Sequence, residues 1–235
     1  MQVHVCFTPG EYPGCGERHI AVVIDVFRAT SSMAAAMFHG CKMICPVRTV
    51  EEALQLRQNE YPAALLAGER KGLLIPGFDL GNSPLEYTAA VVDGREIIMT
   101  TTNGTQALNH VSQAATVYTA AFVNAAAVCE RLRNAATDVM VLCSGTEGRF
   151  ALEDALCAGL IAGRLAENAV LSDTAVAALA MYRDFCCSGN MIPRVAASSH
   201  ASYLRQIGYS QDVAYCLQHD IYPVVPVFTQ GKVTL

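Results

Sequence analysis

The chain has 235 residues and a formal net charge of −5; 52% of its residues are hydrophobic and 16% are charged. This length is enough for one large α/β domain or two small ones, and the apolar excess favours a sheet that is buried on both faces. The acidic balance, with no run of Lys or Arg, predicts that nucleic acid is not a partner.

The first residues and the cysteines indicate a cellular location. Pro9, Gly10, Pro13 and Gly14 interrupt the N-terminal segment, so it does not resemble a signal peptide, and the ten cysteines lack the spacing of zinc knuckles. No apolar stretch is long enough to cross a bilayer without a charge, Gly or Pro. We therefore expect a cytoplasmic protein with no membrane partner. The sequence leaves the oligomeric state open, a homo-oligomer included.

Short β-branched runs alternate with segments of helical spacing, which predicts a layered α/β/α fold with mixed, largely parallel sheets. Helix content increases after residue 121, so we expect two unlike subdomains, 1–121 and 122–235, that share one active-site cleft. A capping box at Thr49 and Glu52 opens the second helix, and Ser83 with Pro84 marks another helix start. The predicted strands are 21–26, 43–47, 63–67, 96–100, 116–121, 139–144 and 224–228; the predicted helices are 31–39, 49–58, 105–113, 124–134, 152–167, 173–185, 193–207 and 211–218.

Four polar clusters directly follow predicted strands, where open α/β sheets gather ligand sites. The first contains Asp25, Arg28, Thr30 and Ser31, which place a carboxylate and a guanidinium beside hydroxyls at a helix N-terminus. Backbone N–H groups and the helix dipole at such a position suit an oxyanion. An equally compatible interpretation is that Asp25 or Thr30 only caps the helix.

The second cluster lies in a long glycine-rich loop, a type of segment that brings backbone close to a ligand. Its residues are also those that form ordinary turns and helix caps, so both interpretations stay open. The candidates in this loop are Glu69, Arg70, Asp79, Asn82 and Ser83.

The third cluster is the hydroxyl-rich segment 100–105, which predicts an anion-binding nest with an Asn-Gly pair that tolerates left-handed backbone. The alternative is a strand end that is rich in β-branched Thr. Its candidates for substrate binding are Thr101, Thr102, Asn103, Gly104 and Thr105.

The fourth cluster combines Ser144, Gly145 and Arg149 with Glu153 and Asp154 in the first turn of a predicted helix. Acidic residues at a helix start either balance the helix dipole or bind a metal. Over all clusters, five carboxylates near strand ends supply the oxygen ligands that suit Mg²⁺. The candidate metal ligands are Asp25, Glu69, Asp79, Glu153 and Asp154.

Five segments occur in the order of the signature blocks of 2-phosphosulfolactate phosphatases, which the chain resembles from Val22 to Asp220. The resemblance implies Mg²⁺-assisted hydrolysis of 2-phospho-3-sulfolactate, an α/β fold of two unlike parts, and a place in coenzyme M biosynthesis. Such a small anionic phosphoester needs several anion sites, which Arg28, Arg70, the segment 100–105 and Arg149 supply. The segments are VVIDVFRATSS, GERKGLLIPGFDLGNSP, TTTNGTQAL, CSGTEGRFALEDALCAG and SSHASYLRQIGYSQDVAYCLQHD.

Four residues form the catalytic hypothesis. Asp25 is either the nucleophile or the first metal ligand, and Arg28 neutralises the charge that develops on phosphate. Glu153 is a candidate for both a catalytic and a metal-binding role. His200 would protonate the leaving alkoxide, although a helix-surface position is also compatible with its surroundings.

Two rival functions remain open in the sequence. Cys143 and Arg149 have the spacing of Cys-dependent phosphatases, but Leu142 and Phe150 replace the residues expected beside them. The other rival is a non-catalytic module that holds phosphate or sulfonate in the same loops. The acidic residues count against it, because without a metal they would repel the ligand. A haloacid-dehalogenase-like phosphatase needs a second Asp where Phe27 stands.

Overall fold

A computed structural model describes residues 1–14, 19–111, 114–135, 137–187, 189 and 191–235. Short apolar runs form its strands, and segments with helical spacing form its helices. The strands are β1 (Gln2–Cys6), β2 (His19–Ile24), β3 (Met43–Pro46), β4 (Leu65–Arg70), β5 (Leu73–Leu74), β6 (Glu96–Thr100), β7 (Thr116–Ala120), β8 (Asp138–Cys143), β9 (Val170–Leu171), β10 (Val227–Thr229) and β11 (Lys232–Thr234). The helices are α1 (Ala29–Phe38), α2 (Val50–Asn59), α3 (Ala89–Val92), α4 (Gly104–His110), α5 (Ala125–Ala135), α6 (Leu152–Leu165), α7 (Asp173–Cys187), α8 (Met191–Ala196), α9 (Ser199–Gln206) and α10 (Ser210–Cys216).

An antiparallel hairpin joins two groups of parallel strands in one sheet, whose strand order is β5-β4-β6-β3-β11-β10-β7-β2-β8-β1-β9. Strands β4, β6 and β3 are parallel, and so are β7, β2, β8, β1 and β9. The hairpin of β10 and β11 lies between the groups, because β10 pairs with β7 and β11 pairs with β3. The last strands of the chain therefore hold the two groups together.

Strand β2 shows why helices cover both faces of the sheet. All six of its residues are buried. Ile20, Val22 and Ile24 pack into one apolar cluster with α5, α6 and α7, whereas Ala21 and Val23 pack into another with α1 and α4. A strand that is apolar on both faces is stable only between two layers. The expected α/β/α layering is confirmed.

The predicted strands all form, with shifts of one to three residues at most of their ends. Thr49 caps α2 as expected, since its Oγ1 accepts from the amide of Glu52 at 3.1 Å. The carboxylate of Glu52 accepts from the amide of Arg48 instead of closing the box on Thr49. Local capping chemistry was therefore a sound guide to this helix start.

Three predicted helices were wrong in extent. The segment 193–207 is not one helix: α8 ends at Ala196, and α9 starts anew with Ser198 as its cap. The helix expected at Ser83–Pro84 is a three-residue 3₁₀ turn, Pro84–Glu86. Helix α4 ends at His110, and Gln113 lies outside the described residues.

The sequence prediction missed strands β1, β5, β9 and β11, and β4 continues through residues that were assigned to a loop. Strand β1 contains polar Gln2 and His4, yet it lies between β8 and β9. Strands from both sides of residue 121 are hydrogen-bonded in this sheet, since β8 pairs with β2 and β10 pairs with β7. Among the described residues, no helix is both long and apolar enough to cross a membrane.

The joining role of the C-terminal hairpin is testable at Val233, which is fully buried and pairs with both Phe228 and Ile44. Val233→Asp places a charge in the core, so we expect it to lower the free energy of unfolding by at least about 3 kcal/mol. The matched control is Val170→Asp in edge strand β9, where Val170 is 67% exposed and a loss below about 1 kcal/mol is expected. Urea unfolding measures both, and equal losses would contradict the role of the hairpin.

Candidate active site

A cavity of about 770 Å³ opens where the segments after β2, β6 and β8 meet the β4–β5 turn and helix α9. Asp25, Arg28, Asn103 and Glu153, which belong to three of the predicted clusters, all line it. The strand-end segments therefore converge as the sequence analysis expected. Its other lining residues are Phe27, Glu69, Lys71, Gly72, Asn82, Thr102, Thr146, Glu147, Arg149, Phe150, Ala151, Leu152, Ser198, Ser199, His200, Tyr203 and Leu204.

Asp25 follows the last residue of β2, and its carboxylate lies at the N-terminus of α1. Its Oδ1 accepts from the amide of Ala29 at 3.2 Å. A Cβ atom at Gly104 would lie 2.7 Å from Asp25 Oδ2 and 2.6 Å from the Cβ of Ala29. Only glycine fits at residue 104, because any side chain would displace the carboxylate. The start of α4 thus forms one wall around Asp25.

Three buried carboxylates meet in this cavity: Asp25, Glu69 and Glu153. Burial raises the pKa of Asp25 from its ordinary value of 3.8 to about 6, and the negative charges of Glu69 and Glu153 add to the rise. The Ala29 amide and His200 oppose this shift without cancelling it. Glu69 accepts from the amides of Gly72 and Thr102, both at 2.7 Å. The arrangement concentrates negative charge away from water.

Glu153 and His200 form a pair across two helices. His200 Nδ1 lies 2.7 Å from Glu153 Oε1, and Glu153 is 1% exposed. Burial opposes protonation of His200, but the bond to Glu153 and the charge of Asp25 outweigh it, so its pKa is raised. The hydroxyl of Thr146 lies 3.3 Å from the same Nδ1 atom. The pair therefore favours the protonated form of the imidazole at the cavity wall.

Arg28 is locked in place by three partners. Its Nη1 donates to Asp212 Oδ2 at 2.8 Å, and its Nη2 donates to the carbonyl of Gly72 at 2.5 Å. The guanidinium also lies over the ring of Tyr209, 4.2 Å from its centroid. Arg28 and Asp212 are each 2% exposed, so the charge of Arg28 is already balanced by a buried partner. The peptide bond between Phe27 and Arg28 is cis.

Three polar atoms on the cavity wall have no hydrogen-bond partner among the described residues: Asn82 Oδ1, Thr102 Oγ1 and Glu153 Oε2. Buried polar groups in native proteins are nearly always paired, and each exception requires an explanation. All three atoms belong to residues that line the same cavity, which is typical of a site that receives a polar ligand.

Several predicted substrate-binding hydroxyls lie outside the cavity. Thr30 donates to the carbonyl of Ala120 at 2.7 Å, and Ser31 donates to the carbonyl of Val26 at 2.9 Å. Ser83 donates to Asp212 at 2.7 Å. These hydroxyls join the segments around the cavity, so the alternative of a capping or bridging role describes them better than ligand binding.

Two of the hydroxyls that were predicted to bind an anion in 100–105 are paired within the segment itself. Thr101 and Thr105 bond each other's amides through their hydroxyls, at 3.1 and 3.2 Å. Asn103 has φ −117° and precedes α4, so it is not left-handed. Of this segment, Thr102 and Asn103 line the cavity. Local pairing of Thr side chains thus replaces most of the predicted anion contacts.

The remaining candidates outside the cavity are Arg70, Gly145 and Ser144. Arg70 donates to the Thr100 hydroxyl at 2.9 Å and to the Glu69 carbonyl at 2.7 Å, which joins β4 to β6. The Gly145 amide donates to Asp154 Oδ2 at 3.0 Å. Ser144 is buried behind the cavity, and its hydroxyl has no partner among the described residues.

Asp79 and Asp154 are corrections to the predicted metal ligands. Asp79 is exposed outside the cavity, where it accepts from the Leu66 amide at 2.8 Å and lies 3.7 Å from Arg57. Asp154 accepts from the amides of Val26 and Gly145, and burial with the charge of Glu153 raises its pKa well above the ordinary value. Neither lines the cavity.

The remaining candidate ligands are the three cavity carboxylates. Among the described residues, no three His, Cys, Asp or Glu side chains form a complete metal-ligand cluster. Mg²⁺ usually takes only one or two carboxylates and completes its shell with water and substrate phosphate. Asp25 and the unpartnered Glu153 Oε2 fit that donor set, because both are oxygens in an uncompensated acidic pocket.

Sequence reasoning missed Asp212, Tyr209 and Lys71. Asp212 and Tyr209 lie near the C-terminus in α10 and just before it, far along the chain from the strand ends. An acidic residue in an otherwise ordinary helix gives no local signal of its partner, Arg28. Lys71 follows Glu69 and Arg70 in the quoted segment GERKGLLIPGFDLGNSP and was the one cation there without an assigned role.

Comparison with known proteins gives the family. A family model described as 2-phosphosulpholactate phosphatase matches residues 6–231. The chain belongs to this family. A probable 2-phosphosulfolactate phosphatase of Symbiobacterium thermophilum is 41% identical over 220 residues, which cover 92% of this chain and 94% of the relative. Proteins with the same name from Clostridium beijerinckii and Thermotoga petrophila are 38% and 40% identical, each covering 92% of this chain and 91% of the relative. The family is one of phosphoric monoester hydrolases.

Within this phosphatase family member, Cys143 does not have the features of a nucleophile. It is fully buried at the end of β8 and does not line the cavity. Burial and the charge of Asp154 raise the pKa of its thiol well above the ordinary value. Attack on phosphate requires an accessible thiolate. Arg149 does line the cavity, but without a thiolate beside it the Cys-dependent interpretation lacks its central group.

The buried charge of Asp25 predicts a pH-dependent effect of Asp25→Asn on stability. Because the folded-state pKa is raised to about 6, the folded protein binds more protons between pH 4 and 6, and stability falls as pH rises through that window. Asn removes this cost and still accepts from Ala29. In the presence of a metal chelator, the free energy of unfolding of Asp25→Asn should therefore exceed that of the wild type by an amount that increases with pH and reaches about 3 kcal/mol near pH 7.5.

Denaturant unfolding at a series of pH values measures this difference between variant and wild type. A difference that stays constant from about pH 4 to 8 would mean that Asp25 is not a strained buried acid.

Proposed function

We propose that the protein hydrolyses a small acidic phosphoester, 2-phospho-3-sulfolactate, to 3-sulfolactate and phosphate. The observation that carries the proposal is one cavity that is lined by buried Asp25, by the Glu153–His200 pair and by residues with unpartnered oxygen atoms. Membership of the family gives the reaction class, and the names of the relatives supply the substrate. In this hydrolysis the phosphoryl group is transferred from the ester oxygen to water, and the ester oxygen becomes the hydroxyl group of the product.

The charge of the cavity supports Mg²⁺ as a cofactor. A phosphate that enters the cavity approaches the carboxylates of Asp25, Glu69 and Glu153, and like charges repel strongly in a buried site. A divalent cation held by Asp25 and Glu153 would remove this repulsion. When bound, Mg²⁺ supplies Lewis-acid stabilisation of the phosphoryl oxygens.

His200 is suited to act as the general acid. Its Nδ1 is held by Glu153, which leaves Nε2 as the nitrogen available to a substrate. Its raised pKa favours the protonated ring, which could deliver a proton to the leaving alkoxide. Glu153 orients the ring and stabilises the imidazolium, as a carboxylate does in other acid–base pairs.

Asp25 is better suited to bind the cation than to attack phosphorus. One of its oxygens accepts from the Ala29 amide, and the other lies against Gly104. A carboxylate that lines the cavity and accepts one hydrogen bond can still offer oxygen to a cation. Arg28, fixed by Asp212 and Tyr209, keeps the N-terminus of α1 in position.

We further propose a cytoplasmic location. The eight described cysteines from Cys41 to Cys216 are free thiols, which suits a reducing compartment. A purely ligand-binding role is less favourable, because an anion-binding module gains nothing from three buried carboxylates and a histidine held as an acid.

A phosphate-release assay tests the proposal. Purified protein should release phosphate from 2-phospho-3-sulfolactate in Mg²⁺, and excess EDTA should abolish the release because the carboxylates then repel the substrate. His200→Gln should lower kcat by about 100-fold or more, since a general acid contributes about 10²–10⁴-fold.

Cys143→Ser is the matched control and should keep its activity within about threefold, because the thiol is buried behind the cavity. Release that survives EDTA and disappears in Cys143→Ser would replace this mechanism with a Cys-dependent one. Thermal stabilisation by sulfolactate without phosphate release from any ester would instead indicate a binding module.

A further inference from the structure

Two tight turns stand at the rim of the cavity, and each carries a basic residue. Lys71 and Gly72 have φ of 51° and 73°, and Glu147 and Gly148 have φ of 52° and 73°. Positive φ at both central residues defines a two-residue turn of type I′. The first turn joins β4 to β5, and the second places Arg149 directly after its glycine.

The first turn is fixed by side chains from distant parts of the chain. The Gly72 amide donates to Glu69 Oε2 at 2.7 Å, and the Gly72 carbonyl accepts from Arg28 Nη2 at 2.5 Å. The Lys71 carbonyl accepts from the hydroxyl of Tyr203 in α9 at 3.0 Å. These three contacts fix the backbone of the turn at the cavity wall, which limits the backbone entropy that is lost when Lys71 binds a ligand.

Lys71 is one of three basic side chains on the cavity wall, together with Arg28 and Arg149. Arg28 is buried and already paired with Asp212. Lys71 and Arg149 form no ion pair with any residue that the structure describes, and both are exposed at the rim. They are therefore the cations available to an incoming anion, while the floor of the cavity is acidic.

We infer that Lys71 is a specificity-determining residue that binds the sulfonate of the substrate while the phosphate lies at the floor near His200. The inference rests on the proposed function, since it assigns one part of the same cavity to one group of that substrate. The ammonium of Lys71 can bind the sulfonate as a point charge, and the planar fork of Arg149, on the other turn, can bind the carboxylate through two hydrogen bonds. The two rim cations thus bind the sulfonate and the carboxylate, the two acidic groups that are not esterified, at different places.

Binding of the product tests this inference without requiring catalysis. Calorimetry should show that Lys71→Gln weakens binding of 3-sulfolactate by about 10- to 100-fold, the range expected for one hydrogen bond to a charged group. Binding of lactate, which has the carboxylate but no sulfonate, should change by less than about twofold. Lys71→Arg should recover part of the affinity, because it restores the charge but not the compact geometry of the ammonium. Lys42→Gln makes the same charge change at an exposed site outside the cavity and should match wild type.

Kinetics gives the second readout, as the ratio of kcat/KM for 2-phospho-3-sulfolactate to that for 2-phospholactate. Lys71→Gln should lower this ratio by about tenfold or more, mainly through KM. Equal losses for both ligands, no loss for sulfolactate, or wild-type protein that binds neither would overturn the inference. If wild type releases no phosphate yet Lys71→Gln still loses sulfolactate selectively, the proposed hydrolysis fails and the assignment of Lys71 holds.

Discussion

Burying a carboxylate away from water raises its free energy unless a positive charge or hydrogen-bond donors compensate it. The cavity holds three such groups, Asp25, Glu69 and Glu153, and their mutual repulsion contributes to the raised pKa of Asp25. His200 compensates Glu153 on one oxygen only, which leaves the other unpartnered. This unbalanced charge is the constraint around which the surrounding elements are arranged, and it explains why the site would need a cation and a protonated base at the same time.

The elements around the cavity keep these acids together against their repulsion. Asp154 joins the segment after β2 to the segment after β8 by accepting from both backbones. Asp212 connects α10 to Arg28 and to Ser83, so one late helix ties down two of the segments that bound the cavity. Acidic residues therefore serve two purposes here: some face the ligand, and others accept hydrogen bonds that fix the loops. Because the pKa of Asp25 is raised, its charged form destabilises the folded protein. Such a loss of stability is common at functional sites.

The sequence allowed part of this to be predicted, for reasons that are local. Asp25 directly follows β2 and Thr102 lies two residues after β6, so the pattern identified both as strand-end positions. These strands belong to different parallel groups of the sheet, so the meeting of the two residues depends on long-range packing. Asp79 also lies in a polar loop near a strand, but hydrogen bonds to the Leu66 backbone direct it away from the cavity. Arg28 was expected to be free to bind an anion. Instead it pairs with Asp212, which lies 184 residues later in the chain and is brought close by the packing of α10. Long-range packing of this kind has no sequence signal in a single chain.

A crystal structure of the protein grown with Mn²⁺, in place of Mg²⁺, and 3-sulfolactate tests the central claim most directly, since anomalous scattering locates the metal. The account predicts a cation in contact with Asp25 and Glu153 Oε2, and a ligand in the cavity within reach of His200 Nε2. A cation bound elsewhere, or a ligand that leaves Asp25 and Glu153 without a positive partner, would contradict it.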